Sequence, residues 1–399
     1  MGTLADDPKT VKFIYWDNLT YAPPGSRNPE AWDPQLGMEL YQSYLHHCVE
    51  AERLGYAGVS MPEHFGASSV CPYPNIMMAA LAIKTSKIRI ISGVNIPLWH
   101  HPMELAEQLA MIDVLSGGRL EVGLGRHGDR QAQEHAIDLI DGVLHQIDFP
   151  VAKADLTLLA AAFLKDTEVA KVNVWPRPAQ KRVPLWVAAG SEGSLATAAR
   201  RGHSVLTGRN INPSVGETET LTIEDLVPRI KRYIEIGQEA GHNLSMANVA
   251  VTCFTAIADT DKEAAEIMRR GMLNHLQGAA GFIARARGVA KSDDDPIQVL
   301  FAGAGEGEAA RMKAALEARS ESNNRNPFSF VGSVKTVREK LEALMSAGFT
   351  RFILPCGGVG TDHQTSWGIA RAMAGDVAPD LFAPVVTRSA DTPAQVRAV

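Results

Sequence analysis

Short apolar runs alternate with longer amphipathic segments along most of the chain. The apolar runs are nearly continuous, as strands covered on both faces require. Eight of them are candidate strands, at 12–16, 57–61, 88–94, 120–124, 185–189, 204–207, 248–255 and 351–354. Because amphipathic segments separate consecutive runs, the pattern predicts βα units. Eight such units in 399 residues favour an α/β fold of the closed (β/α)8 barrel type over an open doubly wound sheet.

The amphipathic segments carry ordinary helix signals. Apolar residues recur at i, i+3, i+4 and i+7 spacing, and several segments stop at a glycine, such as Gly55, Gly241 and Gly348. Pro102 opens another segment, where its missing amide hydrogen costs no helical hydrogen bond. These signals place helices between the candidate strands, as the barrel requires.

Three segments do not fit a minimal barrel. Residues 19–37 follow the first strand and are rich in Pro, Gly and polar side chains, so we expect a lid over the barrel mouth. Residues 274–326 form an insert between the last two strands, helical in composition at 309–318, where we expect partial mobility. The polar tail at 386–399 is expected to be disordered. The rest, up to residue 385, is predicted to be a single domain.

Composition narrows the class of protein. Hydrophobic residues make up 45% and charged residues 21%, as in soluble globular proteins. The 39 Lys and Arg residues against 45 Asp and Glu residues give an evenly spread net charge of −6, which argues against nucleic-acid binding. No run of about 18 apolar residues and no signal-like N-terminus occurs, so we expect a cytoplasmic protein that does not bind membranes.

The cysteine and histidine spacing predicts neither disulfides nor a metal site. The four cysteines are scattered and form no C-x-x-C pair, so we expect reduced thiols. The neighbours His46 and His47 lie in a helical segment without metal-ligand spacing. The pair His100 and His101 precedes Pro102, where either imidazole is a helix cap, a pocket wall or a substrate contact, and we favour a structural role.

The end of the second predicted strand carries the sharpest local motif, Met61-Pro-Glu-His-Phe65. Residues at the C-terminal ends of barrel strands point into the mouth, where chemistry takes place. Imidazole suits proton transfer near neutral pH, so His64 is the first catalytic candidate, with a structural loop histidine as the alternative. Glu63 either orients His64 or caps the next segment.

The end of the fourth strand suggests an anion site. Gly123-Leu-Gly125-Arg-His-Gly128 matches a dinucleotide fingerprint, but that fingerprint usually opens the first βαβ unit. We therefore favour Arg126 as a phosphate ligand beside closely approached glycine backbone, with a surface ion pair as the alternative. The glycine-rich segment after the last strand, Cys356–Gly360, is a further possible phosphate position in such barrels.

The end of the fifth strand has similar properties. Ala189 and Gly190 lead into Ser191 and Ser194, where a helix begins. Free amides at a helix N-terminus and the two hydroxyls suit an anion, whereas a plain helix cap needs no ligand. Together with Arg126, this segment would form one anion site at the barrel mouth.

A long segment resembles the signature of bacterial luciferase-like, flavin-dependent monooxygenases. It runs from His101 to Arg126 and reads HPMELAEQLAMIDVLSGGRLEVGLGR. GYAGVSMPEHF at 55–65, the stretch 176–202 and VGSVKTVR at 331–338 agree with the same family. The resemblance covers the chain from about residue 11 to residue 384. It implies a TIM barrel with FMN at its C-terminal mouth.

The resemblance also implies roles for individual residues. The family histidine after the second strand, matched by His64, lies beside the flavin and acts in proton transfer. A non-prolyl cis peptide lies under the flavin ring at positions that match 92–95. The arginine matched by Arg126 and the small residues after the fifth strand bind the FMN phosphate. The residues expected to bind FMN are Gly93, Val94, Asn95, Gly125, Arg126, Ala189, Gly190, Ser191 and Ser194.

These matches imply a two-component monooxygenase. Reduced FMN from a separate NAD(P)H:flavin reductase would react with O2 to give a flavin C4a-peroxide, which oxygenates a small organic substrate. Trp16, Glu63, Trp99 and the 19–37 lid are expected to shape the substrate pocket. By analogy with the family, the chain is expected to form a homodimer.

Two alternatives stay open. Luciferase-type members usually have a second histidine where this chain has Phe65, and the shorter pattern also occurs in relatives that transfer hydride with the 5-deazaflavin coenzyme. The His101–Pro102 start of a helix favours FMN. A flavin-binding protein without catalysis is the alternative of another class. Luciferase has a cysteine at the position of Gly125, so light emission is not expected.

Overall fold

The computed structural model describes residues 2–21, 32–65, 69–156, 168–208, 222–286 and 326–382. The strands, in chain order, are β1 (Lys12–Trp16), β2 (Gly58–Met61), β3 (Arg89–Asn95), β4 (Leu120–Leu124), β5 (Phe149–Ala152), β6 (Val169–Val172), β7 (Leu185–Ala188), β8 (Ser204–Thr207), β9 (Val249–Thr252), β10 (Phe254–Ile257), β11 (Ser329–Gly332) and β12 (Arg351–Pro355). The helices are α1 (Pro34–Leu54), α2 (Pro74–Lys84), α3 (Pro102–Leu115), α4 (Arg130–His145), α5 (Glu192–Arg200), α6 (Ile223–Glu239), α7 (Asp261–Ala286), α8 (Val334–Ser346) and α9 (His363–Ala372).

Eight strands close into a barrel in the order β1-β12-β9-β8-β7-β4-β3-β2. All neighbouring pairs are parallel, and the closing pair of β1 and β12 runs from Lys12 opposite Arg351 to Trp16 opposite Pro355. This confirms the predicted (β/α)8 barrel. Seven of the eight predicted strands agree with the observed bounds to within one residue.

The seventh predicted strand, 248–255, is wrong as a single element. It is two strands, β9 in the barrel and β10 outside it, separated at Cys253, whose amide still donates to Ile353 O at 2.8 Å. β10 leaves the barrel wall to pair in parallel with β11, and all four of its residues are buried. Because both strands are covered on both faces, the apolar run has no polar break to mark the division. The antiparallel pair of β5 and β6 was not predicted either.

The segments that did not fit a minimal barrel are partly described. Residues 34–37 of the predicted lid form the first turn of α1, which Asp33 caps, while 22–31 lie outside the described residues. The predicted insert begins inside α7, so its first residues up to Ala286 are the last turns of that helix. Residues 287–325, including 309–318, and the tail 386–399 lie outside the described residues.

Helix ends follow the signals in the sequence. α1 ends before Gly55, which adopts the left-handed conformation (φ 94°) and donates its amide to Ala51 and Glu52. α3 begins at Pro102 and ends at Leu115, before two glycines of positive φ. α5 begins directly after Ser191, which caps it.

Residues 2–10, the N-terminal plug, cover the end of the barrel at which the strands begin. The buried Arg351 guanidinium donates to Leu4 O at 2.8 Å and Asp6 O at 2.7 Å. Lys12 Nζ donates to Thr3 O at 2.8 Å, and Leu4 N donates to Glu121 Oε1 at 2.6 Å. The plug therefore supplies the backbone groups that the buried charges at this end need.

Candidate functional site

The carboxyl ends of the barrel strands surround an open cavity of 1110 Å³. The strands are parallel, so all their carboxyl ends meet at one rim, and residues far apart in sequence converge there. Of the predicted site residues, the cavity lining includes Trp16, Glu63, His64, Gly93, Val94, Trp99, Arg126, Ala189, Gly190, Ser191 and Ser194. Asn95 and Gly125 are not among the described lining residues.

His64 lies after β2 and is held by a residue from the loop after β1. Its Nδ1 is 2.6 Å from Oδ1 of Asn18, a residue only 2% exposed. The Trp16 ring stands edge-on to the imidazole with centroids 6.5 Å apart. The ring of His275, on α7, lies 5.9 Å from it. The imidazole therefore has a fixed orientation at the edge of the cavity.

Glu63 does not orient His64. Its carboxylate accepts from Ile96 N at 2.7 Å and lies 2.5 Å from His100 Nε2. These contacts tie the end of β2 to the loop after β3. The predicted pocket residue Glu63 lines the cavity, but its oxygens are engaged in this structural contact.

His101 caps a helix, as the sequence indicates. Its Nδ1 accepts from Met103 N at 3.3 Å, at the first turn of α3. His101 is not among the described residues that line the cavity. The His101–Pro102 pair is thus a helix start.

The end of β3 forms one wall of the cavity. A cis peptide joins Gly93 to Val94, which confirms the non-prolyl cis bond expected within 92–95. Trp16 Nε1 donates to Gly93 O at 2.9 Å. A Cβ added at Gly93 would lie 1.8 Å from Ser60 Oγ, so a larger residue there would require the Ser60 hydroxyl to move.

Asn95 and Gly125 lie behind this wall. Asn95 is fully buried, and its Nδ2 donates to Asn75 Oδ1 at 3.2 Å. The Gly125 amide donates to Asn95 O at 2.7 Å, and a Cβ at Gly125 would come within 2.3 Å of Val94 Cγ2. The glycine is therefore explained by the close approach of the β3 and β4 ends, and both residues shape the wall from behind.

The part of the rim that follows β4 and β7 is cationic. Arg126 is exposed and, among the described residues, has no carboxylate partner. Arg130, at the start of α4, also lines the cavity, and a Cβ added at Gly193 would lie 3.6 Å from its Nη1. Arg130 is paired with Glu134 at 2.8 Å. Two guanidinium groups thus lie near the N-terminal turn of α5.

Ser191 and Ser194 form a reciprocal capping box at that turn. Ser194 Oγ accepts from Gly190 N at 3.2 Å and Ser191 N at 3.1 Å, and Ser191 Oγ accepts from Ser194 N at 3.3 Å. Ser191 is exposed and Ser194 is half-buried, and a Cβ at Gly190 would meet no atom within 4 Å. The geometry is therefore compatible with a plain helix cap and with an anion site, because the cap leaves the approach to the turn open.

Aromatic residues form the rim beside Arg126. Trp99, on a 3-10 turn at Pro97–Trp99, is 38% exposed and lines the cavity. Its ring contacts Phe65 with centroids 5.0 Å apart and His127 at 5.2 Å. Trp99 therefore lies where a pocket wall was expected.

Asn18, His275 and Arg130 are site residues that the sequence did not reveal. Asn18 follows the first strand by two positions, so the rule about strand ends would have included it. Arg130 follows Arg126 by four positions, in the same segment after β4, so the rule about strand ends indicates both arginines. His275 lies in a long helix, and no local pattern indicates that it approaches His64.

The residues present fit a flavin carrying a phosphate. Ser60 Oγ and Thr207 Oγ1 are buried, line the cavity and have no hydrogen-bond partner among the described residues, so they are available to a polar ligand. Trp16 and Val94 supply apolar wall, and the cationic end suits a phosphate. In the described ranges, His, Cys, Asp and Glu form no group of three that could hold a metal ion. None of the helices described is long and apolar enough to span a bilayer.

Comparison with known proteins gives a family-level match. The sequence model of the family described as luciferase-like monooxygenase matches residues 26–351. The oxygenase component of the flavin-dependent trigonelline monooxygenase of Acinetobacter baylyi is 25% identical over 242 residues, covering 58% of this chain and 63% of that protein. This chain thus matches less than two thirds of that relative's length.

Two further proteins bear on the cofactor. The 5,10-methylenetetrahydromethanopterin reductase of Methanopyrus kandleri is 25% identical over 330 residues, covering 76% of this chain and 86% of that protein. The oxygenating constituent of 3,6-diketocamphane monooxygenase from Pseudomonas putida, solved in complex with FMN, has a TM-score of 0.60 at 18% identity, covering 94% of this chain and all of that one. The structural likeness shows a shared fold.

Proposed function

Since the chain belongs to the luciferase-like monooxygenase family, we propose that it is a flavin-dependent monooxygenase that uses reduced FMN and O2 to oxygenate a small organic substrate. The similar protein from Acinetobacter baylyi is named as an oxygenase component, which supports a separate NAD(P)H:flavin reductase as the source of reduced FMN. The FMN complex of the structurally similar Pseudomonas putida protein supports FMN as the flavin.

One observation carries the proposal: a single cavity is lined by His64 after β2, by Arg126 after β4 and by the N-terminal turn of α5 after β7. A candidate proton-transfer group and a candidate anion site in one cavity match a redox ring with a phosphate tail. When bound, reduced FMN supplies two electrons, with which one oxygen atom of O2 enters the substrate and the other leaves as water.

The protein itself binds the flavin, excludes water and transfers protons. Arg126 and Arg130 hold the phosphate by charge-assisted hydrogen bonds, together with Ser191 and Ser194. Gly93 and Val94 form the wall against which the ring packs. Trp16 and Trp99 keep water from the reacting atoms, because both offer apolar surface to the cavity. His64 gives or accepts the proton at the reacting centre.

Replacement of Arg126 tests the phosphate assignment. We expect Arg126→Ala to weaken binding of reduced FMN roughly 10- to 100-fold, since a hydrogen bond to a charged group contributes about 1.5–3 kcal/mol. Reduced riboflavin, which has no phosphate, should bind the variant and the wild type equally. Anaerobic calorimetry measures both, with Arg53→Ala, an exposed arginine at the end of α1, as the control. Equal loss for both flavins would argue against the phosphate role.

A deazaflavin-dependent oxidoreductase is the second candidate. The similarity to the Methanopyrus kandleri reductase over 76% of the chain favours it, as does Phe65 directly after His64. Hydride transfer consumes no O2. Binding of the reduced deazaflavin coenzyme in preference to reduced FMN, with no oxygen uptake, would support this candidate over the monooxygenase.

A further inference from the structure

Hydrogen bonds link His64 to the loops after β1 and β12. His64 Nδ1 lies 2.6 Å from Asn18 Oδ1. Asn18 Nδ2 lies 3.1 Å from Thr20 Oγ1 and makes a short hydrogen bond to Val359 O. Thr20 Oγ1 is 3.3 Å from the same carbonyl oxygen. Three loops of the barrel mouth therefore meet at one buried amide.

The direction of each hydrogen bond follows from Val359 O. A backbone carbonyl oxygen only accepts, so the Asn18 atom beside it must be the amide nitrogen. Thr20 donates its hydroxyl hydrogen to the same carbonyl and accepts from Asn18 Nδ2. The other atom of the amide, Oδ1, therefore faces His64. Since Oδ1 is also only an acceptor, the proton between the two residues lies on Nδ1 of the imidazole.

We propose that Asn18 is a positioning residue that holds neutral His64 as the Nδ1–H tautomer and so leaves the lone pair on Nε2. The proposal rests on the proposed function for its catalytic meaning, because Nε2 is then the nitrogen that accepts a proton from the reacting centre. The partner that holds one ring nitrogen of a histidine determines the chemistry of the other.

The neutrality of the partner matters as much as its position. A carboxylate in the place of Asn18 would orient the ring equally well but would also favour the charged imidazolium. An amide orients the ring without adding charge beside it. Among the residues that the structure describes, titratable neighbours of His64 include His275, whose ring is 5.9 Å away, and the adjacent Glu63, whose carboxylate is held by Ile96 N and His100.

The tautomer is measurable in the full-length protein without any flavin. Nitrogen-15 NMR of histidine-labelled protein distinguishes a protonated from an unprotonated ring nitrogen, and His64→Gln assigns the signal. We expect the proton on Nδ1 in the wild type and a mixture of both tautomers in Asn18→Leu. A wild-type spectrum with the proton on Nε2 would overturn the proposal.

The isosteric variant Asn18→Asp gives a second readout that loss of packing does not produce. We expect the titration midpoint of the His64 signal to rise by at least about one pH unit, because a negative charge beside Nδ1 stabilises the imidazolium. Asn248→Leu is the matched control, since it removes an amide that bonds Ser204 Oγ at 3.0 Å before β9, at the opposite end of the barrel. Its His64 signal should match the wild type in tautomer and midpoint.

An unchanged midpoint in Asn18→Asp would contradict the proposal. These spectra need no cofactor, so a protein that fails to bind reduced FMN refutes the proposed function and leaves the result on Asn18 standing. Conversely, the wrong tautomer in a protein that binds reduced FMN would refute only the role of Asn18.

Discussion

At the scale of single residues, the cavity wall leaves no room for a Cβ at position 93. The nearest atom to such a carbon would be Ser60 Oγ at 1.8 Å, followed by Ser60 Cβ and Trp16 Cδ1, both at 3.2 Å. These neighbours are side-chain atoms of β1 and β2, so an extra methyl group at Gly93 would have to displace the Ser60 hydroxyl and would crowd the Trp16 ring. Buried space of this kind is specific to glycine.

Gly93→Ala should therefore lower the free energy of unfolding by about 1–3 kcal/mol, the usual cost of overpacking. The double variant Gly93→Ala/Ser60→Ala should recover part of the loss, since it removes the oxygen that the methyl group meets. Urea unfolding followed by circular dichroism measures both. Gly190→Ala, with open space around the added Cβ, is the control. A double variant no more stable than Gly93→Ala would contradict this packing explanation.

Sequence reasoning located the site residues that lie at strand ends and missed those that meet through the fold. His64, Arg126 and Ser191 follow β2, β4 and β7, and the barrel alone brings them to one rim. Asn18 and His275 contact His64 across 46 and 211 positions of chain, which no local pattern encodes. Glu63 is next to His64 in sequence, yet its carboxylate points to Ile96.

At the scale of elements, α1 and α9 pack through buried rings next to the β1 end. His47 stacks on Trp367 with centroids 4.6 Å apart and on His363 at 4.5 Å. His363 Nδ1 lies 2.7 Å from Asp17 Oδ2, which also accepts from Tyr15 OH. Although burial alone would raise it, the pKa of Asp17 is lowered by the hydrogen bond from His363.

The buried His47 should make stability depend on pH. Burial, together with the nearby His363 and His46, lowers the pKa of His47 to about 4, from 6.5 for an exposed histidine. Between these values the unfolded chain binds a proton that the folded chain does not, so the free energy of unfolding falls as pH falls from 6.5 towards 4. One proton corresponds to at most about 1.4 kcal/mol per pH unit.

His47→Phe removes this proton while keeping a ring against Trp367. We expect urea unfolding at pH values between 7 and 5 to show a smaller loss of stability on acidification than the wild type. His46→Phe, at the exposed neighbouring position of α1, should keep the wild-type dependence. If both variants lose stability as steeply as the wild type, His47 is not the group that titrates.

The elements themselves were largely predictable, because strands covered on both faces and helices with glycine stops leave strong patterns. The failures have physical causes. The sequence predicts β9 and β10 as one strand because both are buried. It does not predict β5 and β6, because these strands are only four residues long and partly exposed. The N-terminal plug makes backbone contacts that depend on no apolar pattern.

At the scale of the whole molecule, the two ends of the barrel have different tasks. The N-terminal plug supplies hydrogen-bond partners to buried charges at the end where strands begin, and the candidate site occupies the other end. Glu121 joins the plug to the barrel wall, since it accepts from Leu4 N and from Trp186 Nε1 at 2.6 Å each and pairs with Arg89 at 2.9 Å. The plug contacts and the candidate site thus lie at opposite ends of the barrel.

Deletion of residues 2–8 should cost stability without affecting the cavity. It removes Leu4, Asp6 and Asp7, whose carbonyl groups accept from Arg351. Loss of partners for a buried charge costs about 3–5 kcal/mol. We expect a drop of that size in the free energy of unfolding with unchanged affinity for reduced FMN. Lys9→Ala, an exposed change in the same segment, should alter stability by less than about 0.5 kcal/mol. A deletion variant as stable as the wild type would contradict the role given to the plug.

The central claim is that the cavity binds reduced FMN and controls its reaction with O2. The most direct measurement mixes the anaerobic complex of protein and reduced FMN with oxygenated buffer and follows the flavin absorbance by stopped flow. We predict reoxidation in resolved phases, slower than for free reduced FMN, with the slow phase altered in His64→Ala although that variant still binds the flavin. Reoxidation in one phase at the rate of free FMN, or no binding of reduced FMN where the reduced deazaflavin coenzyme binds, would contradict the claim.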